Sequence, residues 1–280
     1  MGIHYESGLH PEIFEWMRFG ERRANDIAVG PEGSVWIVGV DPRPGGYEVA
    51  RWTGLRWQEF DGVGAAVVEV APSGDAWLIT DSGELLEPVD GGWATCPTPA
   101  PVRDVTIGPL DGGVWIATAP VDDRPGQALR RVGSDWVEGY GTAVHVPWQW
   151  DIVGVNHDDE NHNDPYEGAA PVNPIAIAAM ADGLPFVVNE DGSMLRKAVD
   201  NDGWLVVPEE PAYDIAISGD GVVWIVGRDE RDGGHGPFRF YHGTDWHASE
   251  GAVVRIAVGP DGLPWAVDDE GAIHRQHVRL

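Results

Sequence analysis

Ile27-Ala28-Val29-Gly30-Pro31-Glu32-Gly33-Ser34-Val35-Trp36-Ile37-Val38, near the start of the chain, returns near its end as Ile256-Ala257-Val258-Gly259-Pro260-Asp261-Gly262-Leu263-Pro264-Trp265-Ala266-Val267. Each copy is a short apolar run, a turn carrying glycine, and a second apolar run built on tryptophan. Related runs lie between them: Val68-Glu69-Val70-Ala71, Val105-Thr106-Ile107-Gly108, Ile175-Ala176-Ile177-Ala178 and Ile215-Ala216-Ile217-Ser218. The aromatic of the second run is Trp36, Trp77, Trp115, Phe186, Trp224 and Trp265 in turn. A further tryptophan opens each unit, at Trp16, Trp57, Trp93, Trp136, Trp204 and Trp246. The unit therefore occurs six times, and a recurrent structural position accounts for most of the 14 tryptophans. Internal repetition of this period is the signature of a ring or an array.

Each unit holds about four short strands separated by turn residues. Gly33, Gly74, Gly112, Gly183, Gly221 and Gly262 stand where the chain turns back, a place that asks for positive φ. A four-stranded antiparallel sheet of this length is a propeller blade, and one blade alone leaves both faces wet. Stacking six around an axis buries them. The expectation is an all-β, six-bladed β-propeller occupying residues 1–280 as one domain, with the second aromatics packed between neighbouring blades. The N-terminal segment is expected beside the strand ending near Gln276, closing the ring. Only the fourth unit is long, with an insertion at about 140–173 placed in the fourth blade.

The opening tryptophan, the Ile-x-Val-Gly run, the glycine turn and Val35-Trp36-Ile37-Val38 together resemble the tectonin repeat family, over nearly the whole chain. Gly112-Gly113-Val114-Trp115-Ile116-Ala117-Thr118 is also similar to the sensor-type propeller repeats of bacterial regulators. The tectonin resemblance implies a non-catalytic, lectin-like module that recognises surface glycans at sites repeated around the ring, where weak sites gain by avidity. No motif here matches the family's binding residues, and none is transferred. A rigid protein-interaction module within a larger assembly is the alternative, and a lyase-type propeller enzyme a minor one.

A longer period overlies the first. Asp26, Asp104 and Asp214 precede the inner run in units one, three and five, where the even units have Val67, Pro174 and Arg255. The odd units also carry longer loops, with Asp41-Pro42-Arg43, Asp122-Asp123-Arg124 and Asp229-Glu230-Arg231. The even units have the short turns Asp81-Ser82-Gly83, Glu190-Asp191-Gly192 and Asp269-Glu270-Gly271. The chain reads as three double-blade units with pseudo-threefold symmetry. Arg43, Arg124 and Arg231 are then expected as a triangle of planar donor forks, flanked by Asp41, Asp122 and Asp229, for ligand hydroxyls or a partner's carboxylates. A local ion pair closing each turn is the plainer reading.

Composition narrows the partners. A formal charge of -28 repels a phosphate backbone and an anionic membrane surface, so nucleic acid and membrane insertion are not expected. Cys96 is the single cysteine, which removes any intrachain disulfide. The start of the chain has no continuous apolar stretch, so cytoplasmic residence is expected unless a dedicated route exports the protein. No nucleophile elbow, phosphate loop or His-Glu metal helix occurs, and no cofactor is expected. In the insertion, Trp148 and Trp150 lie outside the repeat and are candidate stacking platforms. The run from Asn156 to Asp164 is rich in His and carboxylates, yet it fits no zinc spacing and lacks the fixed glycine of a calcium loop.

Overall fold

The computed structural model describes residues 14–138, 171–198, 203–207, 210–219, 221–241 and 245–278. These form 24 strands in six four-stranded antiparallel sheets, and no helix occurs among the described residues. Strand β1 (Phe14–Arg23) stands apart from the sequential order. The first blade is β2 (Asp26–Val29), β3 (Val35–Arg43), β4 (Gly46–Trp52) and β5 (Trp57–Ala65). The second is β6 (Val67–Val70), β7 (Ala76–Ile79), β8 (Leu85–Val89) and β9 (Gly92–Cys96). The third is β10 (Val102–Ile107), β11 (Val114–Thr118), β12 (Ala128–Val132) and β13 (Asp135–Glu138). The fourth is β14 (Pro174–Ala179), β15 (Pro185–Asn189), β16 (Met194–Lys197) and β17 (Trp204–Val207). The fifth is β18 (Ala212–Ile217), β19 (Val223–Arg231), β20 (Gly234–Tyr241) and β21 (Asp245–Ala248). The sixth joins β22 (Arg255–Val258), β23 (Pro264–Val267) and β24 (Ala272–Val278) to β1.

The two ends of the chain thus share one sheet. Trp16 faces Gln276 and Phe14 faces Val278 across an antiparallel ladder, so the ring is closed by backbone hydrogen bonds. The opening tryptophan of each sequence unit sits on the outermost strand of the preceding blade. The sequence unit and the sheet are therefore one strand out of phase.

The six glycines of the turn have φ between 64° and 87°. Each donates its N–H to the carbonyl of the residue that ends the inner run: Gly30, Ala71, Gly108, Met180, Ser218 and Gly259. That repeated bond fixes the register and corrects one reading. In the fourth blade the residue equivalent to Ile27 is Ile177, opposite Val187, not Ile175. Ala176, not Pro174, then takes the place of the odd-blade aspartates. A slip of two residues keeps every side chain on its face, so the alternating run Ile-Ala-Ile-Ala does not reveal it.

The core is a set of six apolar seams between neighbouring blades. Trp36 packs with Val68 and Leu78 of the second blade, and Trp115 with Ile177 and Val187 of the fourth. Trp265 packs with Ile27 and Ile37 of the first, across the closure. The six second aromatics are between 0 % and 7 % exposed. Burial of such a ring is the largest single apolar contribution each seam has.

An arginine lies over every one of these rings. Arg51, Arg130, Arg196, Arg239 and Arg275 stand directly across the ladder from Trp36, Trp115, Phe186, Trp224 and Trp265. Their guanidinium carbons are 5.2 to 6.0 Å from the ring centroids. The second blade has Glu87 instead, and Arg131 reaches over from the third blade to pair with it and cover Trp77. Four of these arginines also hold an acid from the inner turn: Glu32, Asp111, Asp182 and Asp261.

Candidate functional site

Two places gather polar chemistry against cavities: the axis of the ring and the rim on either side of the first blade. At the axis the inner strands surround a void of about 140 Å³. Asp26, Asp104 and Asp214 point across the seams to the following blades. Their carboxylates accept from the N–H of Val68 (2.8 Å), Ile177 (2.7 Å) and Ile256 (3.0 Å). Each is thus a staple from an odd blade to the next even one. The longer period seen in the sequence is in this respect mechanical.

Two further groups at the axis do not follow that period. Most positions opposite the blade-packing aromatics on the inner strands are alanine: Ala28, Ala178, Ala216 and Ala257. The second and third blades have Glu69 and Thr106 there, and Thr106 Oγ1 donates to Glu69 Oε1 at 3.4 Å. Arg255 is half-exposed and brings its Nε to 3.5 Å from Asp26 Oδ1. Among the described residues, four carboxyl groups therefore line the void, and Arg255 acts on Asp214, Asp26 and Asp104.

The electrostatic result follows from burial. Desolvation pushes Asp26 up to about 7, against the opposing pull of Arg255. Glu69 is pushed up to about 8 by burial, with Asp26 adding to it. Asp104 is raised well above the usual carboxylate range by burial and by Asp214. Burial likewise raises Asp214. For Arg255, burial works downward, and Asp214, Asp26 and Asp104 outweigh it and raise the guanidinium.

The rim has a different character. Between the first and second blades runs an open groove of about 760 Å³, lined among others by Trp36, Phe60, Trp93, Gln58 and Asp61. Phe60 stacks on Trp36 with centroids 4.9 Å apart and planes at 17°. Trp93 stands edge-on to both rings, held by a 2.7 Å bond from its Nε1 to the Ala76 carbonyl. On the other side of the first blade a second groove of about 600 Å³ is lined by Phe19, Trp52 and Trp265, with Thr53 and Glu32. Arg51 and Gln58 border both grooves and form the ridge between them.

The candidates read from the loops fall into unlike surroundings. In the first and fifth blades the long loops are extensions of the hairpin ladder, with Arg43 opposite Gly46 and Arg231 opposite Gly234. In the third blade, Val121 and Arg124 close a separate small turn in which Asp122 has φ of 53°. Asp41, Arg43, Asp122, Arg124 and Asp229 are exposed. Arg43 Nη2 lies 3.9 Å from Glu48. Arg231 is held fast: it binds Asp229 and donates to the carbonyls of Ser249 and Gly251. Trp148, Trp150 and the run from Asn156 to Asp164 lie outside the described residues. Of the opening tryptophans, Trp204 is buried and the other five are half-buried. Glu69 and Phe60 carried no mark as candidates in the sequence. The sole available signal was a Glu among alanines at one position of the repeat.

No family model matches the chain, and no curated protein matches it. Solved structures do. YCF48 bound to a D1 peptide matches with a TM-score of 0.51 at 15% identity, over 92% of this chain and 79% of the other. A gluconolactonase from Xanthomonas campestris matches with a TM-score of 0.61 at 10% identity, over 94% of this chain and 88% of that one. At these identities the likeness is one of fold, which is that of a six-bladed β-propeller. The neighbours include a peptide-bound protein and an enzyme, and they do not single out the tectonin repeats. The expectation of a non-catalytic protein is corrected by the second of them. A gluconolactonase has this fold, so the absence of a linear catalytic motif does not exclude catalysis from residues far apart in sequence. No helix among the described residues is long and apolar enough to cross a membrane.

Proposed function

We propose that the chain is a binding propeller that takes saccharide rings in the two rim grooves beside the first blade. The observation that carries this reading is the pair of half-buried rings Phe60 and Trp93, which line an open groove together with Arg51, Gln58, Glu59 and Asp61, with buried Trp36 behind Phe60. The C–H face of a pyranose stacks on such rings, and Arg51, Gln58, Glu59 and Asp61 offer donors and acceptors to its hydroxyls. The neighbouring groove shares the Arg51–Gln58 ridge, which suits an oligosaccharide longer than one ring. The tectonin-like repeat agrees with a lectin-like role of this kind. A glycan array followed by calorimetry tests it. Trp93→Ala and Gln58→Ala are expected to weaken binding at least tenfold while melting remains cooperative. An array with no bound glycan, or variants that bind as well as the parent, overturns it.

A protein partner is the second reading. Its support is the peptide-bound fold neighbour, together with one exposed patch. Tyr213 is 39% exposed, lies under the Arg228 guanidinium at 4.6 Å, and packs against the His235 ring at 4.6 Å. Tyrosine and arginine are the side chains on which protein interfaces concentrate their energy. Cross-linking of the parent, but not of Tyr213→Ala, to a partner from the native host would favour this reading.

A further inference from the structure

The axis holds four carboxyl groups and one arginine, and each group belongs to a different blade. Asp26 comes from the first, Glu69 from the second, Asp104 from the third, Asp214 from the fifth and Arg255 from the sixth. The fourth blade contributes only Ile177, Ala178 and Ala179 to the wall. Among the described residues the four carboxyl groups are the charged groups that line the void, and Arg255 stands at its edge beside Asp26. With every carboxyl ionised, the axis would carry three uncompensated negative charges in a space little larger than a few waters.

These groups are also part of what joins the blades. Three of them accept the seam bonds from Val68, Ile177 and Ile256, and the fourth is bonded across the seam to Thr106. A neutral carboxyl still accepts those bonds through its carbonyl oxygen. The seam bonds survive protonation and the mutual repulsion does not, while the second bonds that Asp104 and Asp214 accept, from the N–H of Val105 and Ile215, are weakened.

We propose that the axis is a proton-operated lock: with its carboxyl groups neutral the inner strands close on one another, and their ionisation loosens the same seams. The direction follows from linkage. Unfolded Asp and Glu lose their protons near the ordinary values of 3.8 and 4.5, whereas folded Asp26 and Glu69 keep theirs to about 7 and about 8. Between those limits the folded state binds more protons, so stability falls as pH rises through the window and levels off above it. A ring held by ordinary surface carboxylates behaves in the opposite sense and weakens in acid.

Glu69→Gln separates the lock from the general titration of an acidic protein, since it keeps an acceptor for Thr106 and removes one ionisation. The melting temperature of the parent is expected to fall between pH 5 and pH 9. That of the variant should match it near pH 5 and exceed it by several degrees at pH 9. Equal slopes for parent and variant, or a parent that melts higher at pH 9 than at pH 5, overturn the proposal. Should the variant not fold, carboxyl carbon NMR of the unmodified protein decides. At least two side-chain carboxyl signals titrating above pH 6 are expected, and complete ionisation of all of them below pH 5 overturns the lock.

Discussion

The seams that lead from an odd blade to an even one are closed differently from those that lead from even to odd. In the first kind, an aspartate side chain reaches forward and accepts the N–H of the next inner strand. Main-chain bonds from Asp81, Asn173 and Asp269 to Gly45, Gly126 and Gly233 accompany those aspartates. In the second kind the acceptor for the start of the next blade is main chain, joined at the second-to-third seam by the Thr106–Glu69 side-chain bond. The carbonyls of Gly271, Gly83 and Gly192 receive the N–H groups of Ala24, Val102 and Ala212 at 2.8 to 3.0 Å. Those glycines end the short turns of the even blades. The aspartates of the odd blades and the short turns of the even ones, two features that run together along the sequence, are therefore the two halves of one bonding scheme. The lesson is that a period in a sequence can record how a structure is closed without recording what it binds.

What the two kinds of seam have in common should dominate stability. Every seam buries one of the six aromatics, and Trp115 is fully enclosed, with its Nε1 bonded to the Gly183 carbonyl. Trp115→Ala is expected to cost about 3–5 kcal/mol, read from denaturant unfolding. A cost below about 1 kcal/mol would mean that the seams do not act as the core.

The next effect distinguishes the even-to-odd seams. Gly83 has φ of 81°, and a Cβ placed there would come within 2.6 Å of Pro101. Gly83→Ala should therefore cost about 3 kcal/mol, by backbone strain together with displacement of the third blade. Chemical unfolding measures this, and an unchanged midpoint would show that the turn is not held in its left-handed form.

At the odd-to-even seams the expected effects are smaller. Asp214→Ala leaves the Ile256 N–H without its acceptor and should cost about 2 kcal/mol at pH 5. Asp214→Asn keeps an acceptor and should cost less at pH 5. At pH 9 it removes a charge from the crowded axis and should stabilise. If both substitutions prove equally damaging at both pH values, the side chain is not acting as a staple.

The loop arginines supply the smallest and most discriminating contrast. Arg231→Ala removes bonds to two carbonyls and should cost about 1 kcal/mol. Arg43→Ala and Arg124→Ala should fall within about 0.5 kcal/mol of the parent. If all three also leave glycan binding unchanged, the triangle has no role in recognition. Equal loss of binding in all three would restore it.

The sequence by itself determined the number of blades, the strands that carry the buried aromatics and the glycine at each turn. Those features recur six times, and each is local: a period of two, a positive φ, a ring that has to be buried. It also marked Asp26, Asp104 and Asp214 as a set apart. Only the tertiary structure decided what the set is for, because the bond from Asp104 to Ile177 joins residues far apart in the chain. The same holds for Arg131 covering Trp77, for the fourth-blade register, and for the groove where Phe60 and Trp93 meet across two blades. The physical reason is that closing the ring brings inner strands together around one axis and outer strands together along each seam. Groups that are unremarkable along the chain then share a void, a charge balance or an aromatic wall, and no periodicity in the sequence encodes that meeting.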